Sequence, residues 1–188
     1  MSSEDRRRWE EKYAEGFPAP SPPDPFVCEV LDGLHLPQGA RALDLACGPG
    51  RHALELAARG FEVEAWDVSG RALAELQSRA EQARLAERVR VREVDLDAAP
   101  PADVRLFDVA VVVDYLDRAL PERVAPLLAP GGRLILATFT EDWPGERPSA
   151  RHRLRRGELA RGVPGYEVEH GVEAGGRAGV LLRRESRE

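Results

Sequence analysis

Residues 43–60 read LDLACGPGRHALELAARG, and this stretch decides the fold. Its apolar beginning is typical of a buried strand, and the apolar spacing of its second half predicts a helix that ends at Gly60. The turn over residues 46–50 joins the two, and its glycines, Gly48 and Gly50, have no side chains. A ligand can therefore lie directly on the backbone where the helix begins.

The sequence from residue 41 onward alternates between strand and helix patterns. Such alternation is typical of a mostly parallel sheet with crossover helices. A further helix is predicted from Ser69, a good N-cap, to about Ala86, and another around residues 117–128. We predict five strands in this alternation: RALDLA (41–46), FEVEAWD (61–67), RVRVREV (88–94), FDVAVVVD (107–114) and RLILATFT (133–140).

Two more strand-like runs follow, YEVEHGVEA (166–174) and RAGVLLRRE (177–185). Gly175 and Gly176 alone separate them. Parallel strands need a long crossover, so this tight connection predicts an antiparallel pair at the edge of the sheet.

The N-terminal region is predicted to be separate from this alternating body. Residues 4–15 contain neither Gly nor Pro and indicate a short charged helix, which the proline-rich tract after it cannot continue. Asp24 can cap the next helix, with Pro25 in its first position. We therefore expect a helical arm or lid over residues 1–23 and one main domain over 24–188.

Three consecutive predicted strands end in aspartates, Asp44, Asp67 and Asp95. In open α/β folds, ligands bind at the edge where the carboxyl ends of the strands meet. Asp67 lies 23 residues after Asp44, close to the spacing at which an acid meets ribose hydroxyls in dinucleotide folds. Such an acidic edge favours a positively charged ligand over an anionic pyrophosphate.

The segment DLACGPG (44–50) resembles motif I of the class I S-adenosylmethionine-dependent methyltransferases, with Ala46 where a first glycine often stands. The resemblance covers residues 41–185 and implies an α/β, Rossmann-like fold with a seven-stranded sheet in the order 3-2-1-4-5-7-6, strand 7 antiparallel. It implies S-adenosylmethionine as the cofactor, with Asp44 near its methionyl part, Asp67 at its ribose and Asp95 at its adenine. The candidate cofactor-binding residues are Trp9, Tyr13, Asp44, Ala46, Cys47, Gly48, Gly50, Asp67, Val68, Asp95, Leu96 and Val113.

A narrower resemblance concerns the small bacterial methyltransferases related to the tellurite-resistance and thiopurine enzymes. It implies a small acceptor, such as a soft thiol, selenium or tellurium nucleophile, and a lid role for Trp9, Lys12 and Tyr13. Asp114 departs from the pattern, since a basic or amide residue is expected before Tyr115. The segments that carry this resemblance are WEEKYAEGFPAP (9–20), CGPGRHALELA (47–57), FDVAVVVDYLDRAL (107–120) and PGGRLILATFT (130–140).

The sequence identifies the residues that would bind the methyl acceptor less clearly. Tyr115 and Arg118, three apart on a predicted helical face, and Arg51 on the first helix are candidates for lining a substrate pocket. The Arg-rich segment 147–161 either attracts an anionic substrate or forms a solvated charged face. We assign no general base, although the candidates are Asp114, Tyr115, His52 and His152.

Composition restricts the partners. The formal net charge is −6, so the summed field repels nucleic acid and anionic membranes. The sequence has two cysteines, no apolar leader and no apolar run long enough to span a bilayer, which predicts a cytoplasmic protein. We expect a small-molecule substrate, no metal, no nucleic acid, no membrane, and a monomer or weak homodimer.

Two alternatives to a methyltransferase remain open. A nicotinamide-dependent oxidoreductase is compatible with a glycine turn followed by Asp67, but Asp44 would then lie close to a pyrophosphate. A non-catalytic module that binds S-adenosylmethionine as a sensor or partner subunit is compatible with all of the motifs. The sequence favours a methyltransferase acting on a small molecule.

Overall fold

The computed structural model describes residues 3–17 and 20–185. The helices in these ranges are α1 (Ser3–Ala14), α2 (Pro25–Gly33), α3 (Arg51–Ala58), α4 (Gly70–Gln82) and α5 (Leu120–Val124). The strands are β1 (Arg41–Leu45), β2 (Glu62–Asp67), β3 (Val89–Glu93), β4 (Phe107–Val113), β5 (Leu128–Phe139), β6 (Tyr166–Ala174) and β7 (Arg177–Arg184).

The strands form one sheet in the order β3-β2-β1-β4-β5-β7-β6. The pairs β1–β2, β2–β3 and β4–β5 are parallel, whereas β7 is antiparallel to both β5 and β6. The predicted fold class, strand order and direction of β7 are therefore confirmed. The chain divides into two compact units: residues up to Pro23 with Leu36–Arg105, and Asp24–His35 with residues from Leu106 onward.

The first unit packs α3 and α4 on the parallel strands β1, β2 and β3. Leu43 and Leu45 of β1 are completely or almost completely buried, as is Leu56 on the inner face of α3. Trp66 of β2 is also buried, and its indole Nε1 donates to Glu64 over 2.8 Å. Apolar contacts thus fix β1 and β2 behind the turn that leads into α3.

Helix α4 begins where the sequence predicts it. The Ser69 hydroxyl accepts the backbone N–H of Ala72 over 3.2 Å, which is the expected N-cap hydrogen bond. The helix ends at Gln82 rather than near Ala86, because Arg84 adopts a left-handed backbone with φ of 59°. A residue in this conformation shortly after the last helical turn reverses the chain.

The second unit contains α2 and the strands β4 to β7. Asp24 caps α2 as predicted, since its Oδ1 accepts the backbone N–H of Phe26 over 3.0 Å. The Phe26 ring lies against β7 at Gly179, where an added Cβ would be 2.4 Å from the ring. Gly175 and Gly176 both have positive φ in the turn between β6 and β7, which confirms the predicted hairpin.

The crossover between β4 and β5 is shorter than the helix predicted over residues 117–128. It contains only α5 and one 3₁₀ turn, Ala125–Leu127, because Pro126 has no backbone N–H to continue the helix. β5 then begins at Leu128, earlier than the predicted residue 133, and its pairing with β4 shifts register beyond Phe107. No helix in the described part of the chain is both long enough and apolar enough to span a membrane.

Candidate active site

The turn between β1 and α3 has an unusual backbone. Ala46, Gly48 and Gly50 all adopt left-handed φ values, of 53°, 51° and 87°. Glycine reaches this region without cost, whereas a residue with a Cβ pays roughly 1–2 kcal/mol. Ala46 therefore carries the strain that a glycine at that position would avoid.

The two glycines of the turn have different neighbours. A Cβ built on Gly50 would lie 2.1 Å from Cδ1 of Leu76, a fully buried residue of α4. The absence of a side chain at Gly50 is thus required for α3 and α4 to pack together. A Cβ on Gly48 would instead meet only the Tyr13 hydroxyl, at 3.2 Å. Gly48 is the position of the turn whose missing side chain leaves space for a ligand.

Asp44 lies in β1 beneath this turn. It is 1% exposed, and its Oδ2 has no hydrogen-bond partner in the structure. The pKa of Asp44 is raised to about 8, first by burial and then by the nearby Asp67 carboxylate, against the opposing effects of the Ala53 backbone N–H and Arg51. A buried oxygen without a partner is costly, so a cationic donor from a ligand would be favourable there.

Asp67 ties the end of β2 to the turn. Its Oδ2 accepts the backbone N–H of Gly48 over 2.8 Å, and its Oδ1 accepts that of Ser69 over 2.9 Å. Burial raises the pKa of Asp67, and the backbone N–H groups of Ser69, Gly48 and Val68 oppose that rise. A carboxylate has about four lone-pair sites, so Asp67 keeps capacity to accept a hydroxyl proton from a ligand.

The remaining predicted adenine-side residues follow β2 and β3. Val68 and Leu96 are 1% and 5% exposed, and each directly follows an aspartate. Asp95 is half-buried and accepts the backbone N–H of Asp97 over 2.9 Å. Val113, predicted for the same site, ends β4 in the second unit and is 8% exposed.

Cys47 is part of the turn but is not a nucleophile in this environment. Its thiol is buried, and burial together with the carboxylates of Asp44 and Asp67 raises its pKa well above the ordinary value. The reactive form of cysteine is the thiolate, which these surroundings disfavour. Among the described residues no cluster of His, Cys, Asp or Glu could hold a metal ion.

The aromatic residues of the N-terminal segment form a stack. The ring centroids of Trp9 and Tyr13 are 5.8 Å apart, and those of Tyr13 and Phe17 are 5.0 Å apart. The Lys12 Nζ lies 4.2 Å from the Trp9 ring centroid. The Tyr13 hydroxyl lies over Gly48. Burial, and after it the Asp67 carboxylate, raises the pKa of Tyr13, so the side chain stays a neutral hydroxyl donor.

Glu10 attaches this segment to the start of α4. Its Oε1 accepts the Ser69 hydroxyl over 2.6 Å and the Arg71 backbone N–H over 3.2 Å, and its Oε2 pairs with the Arg71 guanidinium. A second ion pair joins Arg6 of α1 to Glu93 of β3. No sequence pattern indicates the role of Glu10, because its partners lie about sixty residues away along the chain.

Tyr115 and Arg118, predicted to share a helical face, lie in the loop between β4 and α5. The prediction of a helix there is wrong, because α5 starts only at Leu120. Both residues nevertheless line one cavity of about 180 Å³ in the second unit. Arg118 makes a bidentate ion pair with Glu158, at 2.5 and 2.9 Å, so its charge is already matched. Arg51 lies in the first unit at the start of α3.

Asp114 directly follows β4 in a left-handed conformation, with φ of 59°. The Arg177 guanidinium bridges Asp114, at 2.8 Å, and the buried Asp24, at 2.7 Å. It also lies over the Phe139 ring, 4.5 Å from the centroid. Asp114 is therefore held in place by its partners in the second unit.

His52, another candidate base, lies in α3 of the first unit and is buried.

Several arginines of the segment 147–161 act within the fold. Arg153 donates to the backbone carbonyls of Trp143, Gly145 and Pro148. Arg156 makes a bidentate ion pair with Asp142. His152, the remaining candidate base, lies in a 3₁₀ turn of this segment. These contacts hold the loop together and offset part of its positive charge.

The fold is that of solved methyltransferases. The chain matches TehB from Haemophilus influenzae with a TM-score of 0.70 and 18% identity, covering 95% of this chain and 67% of that one. A SAM-dependent methyltransferase from Aquifex aeolicus gives a TM-score of 0.67 at 16% identity, covering 98% and 99%. A structure determined for the conversion of a disulfide bond into a thioacetal group during echinomycin biosynthesis gives 0.75 at 17% identity, covering 96% and 91%. The chain has the class I methyltransferase fold.

Comparisons of the amino-acid sequence also find methyltransferases. Residues 42–132 match the family described as methyltransferase domain. The ubiquinone biosynthesis O-methyltransferase of Psychrobacter cryohalolentis is 28% identical over 109 residues, which are 55% of this chain and 42% of the relative. The ribosomal protein L11 methyltransferase of Bordetella parapertussis is 30% identical over 161 residues, or 84% and 50%. The chain spans about half the length of these relatives or less.

Proposed function

We propose that the chain is an S-adenosylmethionine-dependent methyltransferase. The observation that carries the proposal is the buried Oδ2 of Asp44, which has no hydrogen-bond partner and belongs to the strand that leads into the turn containing Gly48, a residue without a side chain. A cationic amino-acid group with hydrogen-bond donors fits such an oxygen, and the bare backbone at Gly48 admits its close approach. The methyltransferase match over residues 42–132 supports the same cofactor.

Each predicted residue has a role in this proposal. Asp44 holds the cationic amino-acid end of the cofactor, and Asp67 accepts the ribose hydroxyls through its remaining lone pairs. Val68 and Leu96 contribute apolar surface for the adenine, and Asp95 supplies one polar contact beside them. Trp9, Tyr13, Ala46, Cys47, Gly48, Gly50 and Val113 complete the proposed binding set.

The arm over residues 1–23 acts in this proposal as a lid on the cofactor site. Tyr13 already lies over Gly48, and Glu10 fixes α1 to the start of α4. Covering the site excludes water from the reacting groups and holds the cofactor in one orientation. Residues 24–188 make up the methyltransferase domain in the same proposal.

When bound, the cofactor supplies an electrophilic methyl group on a sulfonium. Asp44 and Asp67 would hold the cofactor by its amino-acid and ribose parts, leaving the methyl group to be taken up by a nucleophile of the acceptor. The protein's task is to align these atoms, and alignment can lower the barrier by roughly 7–11 kcal/mol in favourable cases. We assign no general base, since Asp114 is bound to Arg177 and His52 is buried.

The acceptor in this proposal is a small molecule. A soft thiol, selenium or tellurium nucleophile needs no base, which suits a site without an assigned one. The relatives are named as an O-methyltransferase of ubiquinone biosynthesis and a methyltransferase of ribosomal protein L11, so an oxygen acceptor and a protein acceptor are the other outcomes to test. A cytoplasmic monomer or weak homodimer remains our prediction for the state in which it acts.

Calorimetric titration tests the cofactor. S-adenosylmethionine and S-adenosylhomocysteine should bind the wild-type chain, and Asp44→Asn should weaken that binding while the chain stays folded. Binding of NADH in place of both would support the oxidoreductase alternative. Methyl transfer to thiols, selenite, tellurite, phenols and small amines then separates an enzyme from a non-catalytic binding module, which would bind the cofactor and turn over none of them.

A further inference from the structure

We infer that the acceptor is an uncharged compound with a single ring, held in the cavity of about 180 Å³ at the ends of β4 and β5. This inference rests on the proposed function and narrows its acceptor to ring-bearing molecules, which excludes the oxyanions selenite and tellurite. It depends on three features of the second unit: an uncovered strip of strand, an apolar wall and a rim whose charges are already paired.

The cavity exists because the crossover helix is short. Leu136 of β5 is only half-buried, whereas the adjacent Leu134 and Ile135 are completely buried. A helix over the full predicted range would cover this part of the strand, but α5 provides a single turn. The loop over residues 154–164 crosses the gap instead, and the space left between them is the cavity.

The wall of the cavity is mainly apolar. Several of its aliphatic side chains are only half-buried and would gain contact with a bound molecule, at about 25 cal/mol for each Å² removed from water. A dry apolar cavity of about 150 Å³ is known to take benzene, so a space of 180 Å³ suits one ring with a small substituent. The aliphatic residues that line the cavity include Leu120, Leu136, Leu154, Leu159, Val163 and Pro164.

The three charged residues at the cavity each have an ion-pair partner. Arg118 and Glu158 form the bidentate ion pair described above, and Glu158 also accepts the Arg155 backbone N–H over 2.8 Å. Asp117 pairs with Arg123 and accepts the Ala119 backbone N–H. A charged ligand would lose its hydration without gaining an unmatched partner, so the cavity selects against it.

Three single-ring probes of similar size test the inference: phenol, benzoate and benzylamine, which are neutral, anionic and cationic at pH 7.5. Their affinities for the full chain are measured by ligand-observed NMR titration without cofactor. We expect phenol to bind at least tenfold more tightly than either charged probe, because only the charged probes lose strong hydration. Equal or tighter binding of benzoate or benzylamine would overturn the inference.

Two pairs of variants locate the binding and its charge preference. Leu159→Trp should fill the cavity and weaken phenol binding at least tenfold, whereas Leu106→Trp, at an exposed leucine outside the cavity wall, should leave it unchanged. Glu158→Gln leaves the Arg118 charge unmatched and should improve benzoate binding, and Arg118→Gln should likewise improve benzylamine binding. Unaltered preference in both charge variants, or unaltered phenol binding in Leu159→Trp, would contradict the assignment.

The inference and the proposed function can fail separately. S-adenosylmethionine is titrated into the same preparations, since all of its proposed binding residues except Val113 lie in the first unit. Cofactor binding without phenol binding would reject the cavity as the acceptor site and leave the methyltransferase proposal in place. Phenol binding without cofactor binding would reject the methyltransferase proposal while showing that the cavity takes neutral rings.

Discussion

The carboxylate of Asp67 accepts the backbone N–H of Gly48 over 2.8 Å, which joins the end of β2 to the turn that follows β1. The same carboxylate accepts the Ser69 N–H at the start of α4. One side chain thus fixes the turn, the second strand and the second crossover helix relative to each other. This arrangement gives the candidate cofactor site its shape before any ligand binds.

Substitution of Asp67 should therefore affect binding strongly. Asp67→Ala removes the charged hydrogen bonds proposed for the ribose, worth roughly 1.5–3 kcal/mol each, so affinity for S-adenosylmethionine should fall at least tenfold. Isothermal titration measures it. Asp67→Asn is the matched control, because it keeps one acceptor oxygen for the backbone and should retain more stability than Asp67→Ala. Unchanged affinity in both variants would show that the ribose lies elsewhere.

The two glycines of the turn should respond differently to the same substitution. Gly50→Ala places a methyl group 2.1 Å from Leu76 Cδ1 in a packed interior and should lower the free energy of unfolding by roughly 2–5 kcal/mol. Gly48→Ala meets only the Tyr13 hydroxyl and should cost roughly 1–2 kcal/mol, but it should weaken cofactor binding at least tenfold. Urea unfolding and calorimetric titration separate the two effects.

Ala46→Gly provides the control for that pair. It relieves the left-handed strain at Ala46 and increases the freedom of the unfolded chain, so the free energy of unfolding should change by less than about 1 kcal/mol. Cofactor binding should persist. The glycine prediction would be wrong if Gly50→Ala were as stable as Ala46→Gly, or if Gly48→Ala bound the cofactor as tightly.

The sequence predicts the positions of Asp44, Asp67 and the hairpin glycines because each depends on local pattern: the end of an apolar strand or a turn between two of them. It does not predict that Leu76 fills the space beside Gly50, since that contact joins the start of α3 to α4 across the intervening strand β2. The two glycines therefore look equivalent in the sequence and are not equivalent in the structure. The length predicted for the helix over residues 117–128 fails for a local reason, because Pro126 lies inside that range and cannot continue the helix.

Cofactor binding should release a proton from Asp44. In the ligand-free chain its pKa is raised to about 8, so the carboxyl group is mostly protonated at neutral pH. A cation beside Oδ2 favours the carboxylate, and affinity should therefore rise with pH and level off above about pH 8. Titration at pH 7 in buffers of different ionisation enthalpy measures the released protons.

Asp44→Asn isolates this contribution, since the cofactor's own amino group titrates in both proteins. The pKa of Asp44 is higher in the folded than in the unfolded chain, so its protonated form stabilises the fold at low pH. That stabilisation should be lost between about pH 4 and pH 8, and wild type should lose stability relative to Asp44→Asn over this range. Equal proton release by the two proteins would refute the role given to Asp44.

Glu10 should control how firmly the N-terminal segment is held. Its carboxylate accepts from the Ser69 hydroxyl and the Arg71 backbone, so Glu10→Ala should free α1 from the start of α4. Hydrogen exchange of residues 3–17 should then be faster by several fold. Glu11→Ala is the matched control on the same helix, because Glu11 is exposed and pairs with Arg7 of α1 itself. If α1 is the lid of the cofactor site, Glu10→Ala should also weaken S-adenosylmethionine binding and Glu11→Ala should not. Faster exchange with unchanged affinity would leave α1 attached through Glu10 but without a part in binding.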